Sequence, residues 1–74
     1  MQKTPVKLLG VVALLEDKPA EHLVSGQVGT VVEVLTPGEV FEVEFLDANG
    51  RTLAVAELNR SDLLVLKHEA VMAA

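Results

Sequence analysis

Between Val40 and Leu46 apolar and acidic side chains alternate without a break, with Phe41, Val43 and Phe45 on one side and Glu42 and Glu44 on the other. A period of two is the mark of a β-strand with one wet face. Apolar, β-branched runs predict further strands over residues 8–15, 28–35, 51–58 and 63–66, which makes five in all. The segments between them carry turn chemistry. Thr36-Pro37-Gly38-Glu39 places Pro and Gly at the centre of a type II turn. Asp47-Ala48-Asn49-Gly50 places Asn-Gly where a hairpin calls for positive φ. Asn59-Arg60-Ser61-Asp62 reads as a tight or 3₁₀ turn, because Asn, Ser and Asp bond their own local backbone. Glu16-Asp17-Lys18-Pro19 ends the first strand, since Pro19 lacks an amide donor and restricts Lys18. Residues 20–27 form a long irregular loop with a single turn at 20–23, and the chain re-enters the sheet at Gly26.

The faces of these strands differ. The third strand has one dry and one wet side, but the first is apolar on both: Leu9, Val11, Ala13 and Leu15 oppose Leu8, Val12 and Leu14. In the fourth, Ala54, Ala56 and Leu58 oppose Leu53 and Val55. In the second, strict alternation puts Thr30, Val32 and Val34 on one side and Val31, Glu33 and Leu35 on the other. One small core has room for one set only. The surplus either lies beneath the loop and tails or forms an exposed patch of the kind that marks an interface. Val12, Leu14, Leu53 and Val55 are the candidate contact residues. The pattern leaves open which apolar face points inward, because a one-residue register shift exchanges the two.

Seventy-four residues suit one domain near the lower limit for a self-sufficient core, and the chain has no Cys to brace it. The residues divide into a lead-in (1–7), the β-domain (8–66) and a tail (67–74) of helix-forming composition. Half of the residues are hydrophobic, yet Phe41 and Phe45 are the only aromatics. Such a core of Val, Leu and Ala favours a tight barrel over a ligand cavity. The formal net charge is −5 with six Lys and Arg, which argues against binding phosphate backbones. An acidic surface serves solubility and also attracts basic proteins. The apolar run in residues 6–15 is interrupted by Lys7 and too short to span a bilayer, and it lacks a signal-peptide cleavage site. A cytoplasmic location is the expectation.

No residue set here assembles into an active site by spacing. His22 and His68 sit in a loop and in the tail, and Asp17, Glu21 and Glu69 stand at no metal-ligand spacing from them. Glu42 and Glu44 share a strand face but read as a solvated surface that discourages edge pairing. Ser25 and Ser61 have no base arranged beside them. Gly26-x-x-Gly29 precedes a strand rather than a helix, and no Lys-Ser/Thr follows, so it is no phosphate loop. The expectation is no enzyme, no metal and no cofactor.

Leu23-x-x-Gly26-x-x-Gly29-Thr30-Val31 is similar to the opening of the KOW-type motif of translation and transcription proteins with SH3-like barrels. Members of that group that bind nucleic acid carry basic residues around this turn, where Glu33 and Glu39 stand here. A longer likeness joins Val12-Ala13-Leu14-Leu15-Glu16-Asp17, Gly26-x-Val28-Gly29-Thr30-Val31-Val32-Glu33 and Phe41-Glu42-Val43-Glu44-Phe45, with Asp47 and Gly50-Arg51-Thr52. This series resembles a family of short bacterial proteins, common in cyanobacteria, known chiefly as a domain of unknown function. The chain departs from it at Phe41, where Tyr is expected, and in the apolar tail after Leu66. The resemblance carries no catalytic residues to transfer and implies an antitoxin-like or accessory role.

Together these readings predict an all-β fold: a small five-stranded SH3-like barrel with a 3₁₀ turn before the last strand. The expected function is non-catalytic binding of another protein, basic in character, or of a second copy in a homo-oligomer. A KOW-like nucleic-acid binder is the alternative.

Overall fold

The computed structural model describes residues 5–66. The chain runs through β1 (Val11–Leu14), a first 3₁₀ turn (Pro19–Glu21), β2 (Val28–Thr36), β3 (Val40–Leu46), β4 (Thr52–Asn59), a second 3₁₀ turn (Arg60–Asp62) and β5 (Leu63–Val65). All five strands join one antiparallel sheet in the order β4-β3-β2-β1-β5. The all-β class, the five strands and the 3₁₀ turn before the last strand are those the pattern predicts. The expected barrel, however, does not close: the sheet is open. β4 and β5 are the two separate edges: among the described residues β4 pairs with β3 alone and β5 with β1 alone. The tail at 67–74 and the first four residues of the lead-in lie outside the described residues.

The core forms on one side of the sheet. Phe41, Val43 and Phe45 of β3 are completely buried at its centre, joined by Val12 and Leu14 of β1, Val31 of β2, Ala56 and Leu58 of β4, and Leu63 of β5. Leu23, from the long loop, closes over them. This loop is pinned by polar groups suited to irregular backbone. The Ser25 hydroxyl donates to the Leu15 carbonyl at 3.0 Å, and the Ser25 amide donates to Asp17 Oδ1 at 2.8 Å. Such bonds hold a segment that has no ladder of its own.

β1 is shorter than the apolar run suggests. The Gly10 amide donates to the Lys7 carbonyl at 2.9 Å and Leu9 takes a positive φ of 66°, so residues 7–10 turn and leave Leu8 and Leu9 exposed. Within the strand that remains, Val12 and Leu14 are the inward-facing residues.

β2 departs from strict alternation, and its register shows how. Val31 pairs with Val43, but Glu33 pairs with the next residue on β3, Glu42, so Val32 is the extra residue of a bulge. A second bulge follows at Leu35, between the Val34–Phe41 and Thr36–Val40 pairs. The first bulge lets Val31 point into the core while Glu33 points to solvent, which a regular strand forbids for residues two apart. The two bulges also account for the nine residues of β2 lying against the seven of β3.

The Gly26-x-x-Gly29 spacing resolves into two unrelated needs. Gly26 turns the loop back into the sheet with a φ of 93°. Gly29 is there for space: a Cβ would lie 2.7 Å from Val43 Cγ1 and 2.8 Å from the Glu44 carbonyl oxygen. The turn at residues 47–50 is held differently from the expected Asn-Gly hairpin, since Gly50 takes a positive φ and Asn49 does not. Asp47 Oδ1 accepts from the amides of Asn49 and Arg51 at 2.8 and 3.0 Å and tightens the loop from inside.

Candidate functional site

Register places the outer-face side chains in rows that cross the strands, because directly opposed residues of an antiparallel pair share a face. One row is acidic: Glu33 of β2 pairs with Glu42 of β3, and Glu42 pairs with Glu57 of β4. Three like charges in direct opposition cost stability, by about 0.2–1 kcal/mol for each pair. The neighbouring row contains Val11, Thr30, Glu44 and Val55. There the Thr52 hydroxyl donates to Glu44 Oε2 at 2.6 Å.

A third row is largely apolar and reaches β4 at Thr52. Leu64 of β5 pairs with Ala13 of β1, and Ala13 with Val28 of β2. The β2–β3 ladder ends at the Gly29–Phe45 pair; the next residues are Val28 on β2 and Leu46 on β3, and Leu46 faces Thr52 beside the bulged Leu53 of β4. Leu64, Val28, Leu46 and Leu53 are each about half exposed, at 50–52%, and Val55 adjoins them at 48%. Ala13, between Leu64 and Val28, is buried at 9% exposure, so the exposed aliphatic groups flank it, with Leu64 on one side and Val28 on the other.

Of the four contact residues expected from sequence, two are corrected. Val12 and Leu14 are 1% and 2% exposed and pack in the core, so neither is available to a partner. The pairing of β1 with both β2 and β5 fixes that inward orientation, since Val12 pairs with Gly29, itself opposite Phe45, and Leu14 pairs with Leu63. Leu53 and Val55 do lie on the outer face. Val28, Leu46 and Leu64 complete the patch. Their membership depends on cross-strand register, for which the turn lengths were the available signal.

The remaining polar candidates are placed plainly. Ser25 is occupied in holding the loop. His22 is exposed at the end of the first 3₁₀ turn, in a left-handed conformation. His68 and Glu69 lie outside the described residues. Glu42 and Glu44 are on the outer face, not in a cleft. An open groove of about 560 Å³ runs between the β2–β3 turn and the second 3₁₀ turn, lined in part by Glu39, Asn59, Arg60 and Ser61. Arg60 is structurally engaged there, its Nη1 donating to the Leu63 carbonyl at 2.9 Å. Behind it, the largely buried Asp62 accepts from the Asn59 amide at 2.9 Å and pairs with Lys18 Nζ at 3.0 Å, tying the second 3₁₀ turn to the long loop. Among the described residues no three His, Cys, Asp or Glu stand together as a metal site. No helix among them is long and apolar enough to cross a membrane.

The fold defines a small all-β protein built on one open five-stranded antiparallel sheet, with an apolar row and an acidic row on its outer face. The chain belongs to the DUF4926 family, a domain of unknown function, whose match spans residues 8–65 and so takes in every strand. No curated protein and no solved structure matches it.

Proposed function

We propose that this chain is a non-catalytic protein-interaction module that binds through the outer face of its sheet. The observation that carries the reading is the exposed apolar row of Leu64, Val28, Leu46 and Leu53. It runs one row away from Val55 and two from the acidic Glu33–Glu42–Glu57 row. Apolar contact supplies the driving force for association and the acidic row selects a partner of opposite sign. With a net charge of −5 the chain attracts basic proteins over distance as well. An antitoxin-like or accessory protein, cytoplasmic and bound to a basic partner, is the concrete form of this reading. Self-association through the same apolar row is its second form, with a closed dimer favoured by symmetry.

Light scattering on the purified chain, combined with a pull-down from the native host, tests the reading. The expected result is a discrete complex that Leu46→Lys and Val55→Lys each disrupt while the β-sheet circular dichroism is kept. Both side chains are half exposed, so neither change buries a charge. A strict monomer that captures nothing sinks the proposal. Filter retention of nucleic acid that falls steeply with added salt would move the assignment to the KOW-like alternative.

A further inference from the structure

Among the described residues β4 is hydrogen-bonded on one side only, to β3, and its other side is an edge of the sheet. The phase of the ladder tells which of its backbone groups face outward. The Arg60 amide donates to the Glu39 carbonyl at 2.8 Å, next to the Val40–Asn59 pair. Exchange of hydrogen bonds alternates along an antiparallel pair, so Leu58, Ala56 and Ala54 direct their amides and carbonyls to β3. The backbone groups of Glu57 and Val55 then point to the open edge. The side chains of these same two residues lie on the outer face, one ending the acidic row and the other beside the apolar row.

From this juxtaposition we infer that the open edge of β4 is a strand-addition site for an extended segment of a basic partner protein. That segment presents an apolar residue against Val55 and a Lys or Arg against Glu57. The inference rests on the interaction reading above and supplies its geometry. An added strand satisfies the outward backbone groups, as in other cases of β-augmentation. Its cation becomes the fourth member of the Glu33–Glu42–Glu57 row, where like charges otherwise oppose each other at every step. Strands lie about 5 Å apart, so that cation meets Glu57 directly and reaches Glu42, about 10 Å away, only at low ionic strength.

A second copy of this chain does not supply the same complement. Thr52–Asn59 contains no Lys or Arg to set against Glu57. Antiparallel self-pairing brings Arg51 opposite Glu57 only in a register that runs through the bulge at Leu53, where the ladder is interrupted. Self-pairing centred on Glu57 sets two carboxylates face to face. The edge therefore fits a foreign basic strand better than itself.

The test uses the full chain and a terminally blocked nine-residue peptide, a single Lys flanked by alternating Val and Thr, with a twin carrying Glu for Lys. Amide exchange is followed by NMR. The expected result is binding of the Lys peptide with exchange at Val55 and Glu57 slowed about tenfold, and binding of the Glu twin weaker by about fivefold or more. Glu57→Lys reverses that preference. Val55→Pro removes an outward amide without touching the ladder to β3 and abolishes binding. If Val55→Pro fails to fold, the Glu57→Lys reversal and the exchange pattern still decide the matter. Absence of binding, equal binding of the two peptides, or protection of the β4 amides by the chain alone as its concentration rises each overturns the proposal. A peptide or partner that leaves the Val55 and Glu57 amides unchanged, yet is lost in Leu46→Lys, overturns the edge site while leaving the outer-face reading standing.

Discussion

Single residues in this protein do work that their type alone does not announce. Gly29 is needed for close approach: an added methyl would press on Val43 Cγ1 at 2.7 Å and on the Glu44 carbonyl at 2.8 Å, and the carbonyl belongs to a paired strand that cannot withdraw. Gly29→Ala is therefore expected to destabilise by about 1–3 kcal/mol, the usual range for overpacking. A denaturant midpoint unchanged from the parent would refute that role. Asp62 is the one charged residue classed as buried among the described residues, and it joins the Asn59 amide to Lys18 Nζ. Asp62→Ala removes both interactions and is expected to cost about 1–3 kcal/mol. Asp62→Asn keeps an acceptor for the amide and loses the ion pair, which is partly exposed and worth about 1 kcal/mol at most. Equal losses in the two variants would mean that the ion pair, not the turn, is what Asp62 serves. The turn itself was legible in Asn59-Arg60-Ser61-Asp62, whereas the pairing with Lys18 joins segments distant in sequence and left no local trace.

At the level of elements, strands and turns were readable because each rests on short-range rules. The alternation in β3 gave its bounds, and Pro37-Gly38 gave the turn before it, with Gly38 at a φ of 78°. Register is not local, and it is where the reading and the structure part. Strict alternation assigns Val31 and Glu33 to one face, but the bulge at Val32 separates them. The apolar run at residues 8–15 reads as one strand, but its first part turns at Gly10, and it is pairing with Gly29 and Leu63 that places Val12 and Leu14 on the buried face. Register also creates the acidic row, whose cost can be measured. Glu42 stands between Glu33 and Glu57, so Glu42→Lys replaces two repulsive pairs by two attractive ones. The variant is expected to be more stable than the parent by about 0.5–2 kcal/mol, and added salt is expected to stabilise the parent more than the variant. A less stable Glu42→Lys protein would show that these carboxylates do not repel one another as the register implies.

For the whole molecule, the deciding circumstance is that a sheet of five strands has two faces and this chain has one core. The surplus of apolar residues was visible in sequence, as were Leu53 and Val55 within it. The alignment of Leu64, Val28, Leu46 and Leu53 into one row was not, because it arises only when all five strands are in register. Openness of the sheet is likewise a property of how the strands pair, with β4 and β5 left unpaired to each other among the described residues. The outer face is the proposed protein interface. The most direct measurement is a quantitative capture from the native host by the parent chain and by Leu46→Lys, matched for stability and compared at low salt. The account predicts a basic protein retained by the parent and lost by the variant, with amide protection in the complex confined to the outer-face strands. Equal retention by both chains, or none by either with the parent a monomer, would contradict it.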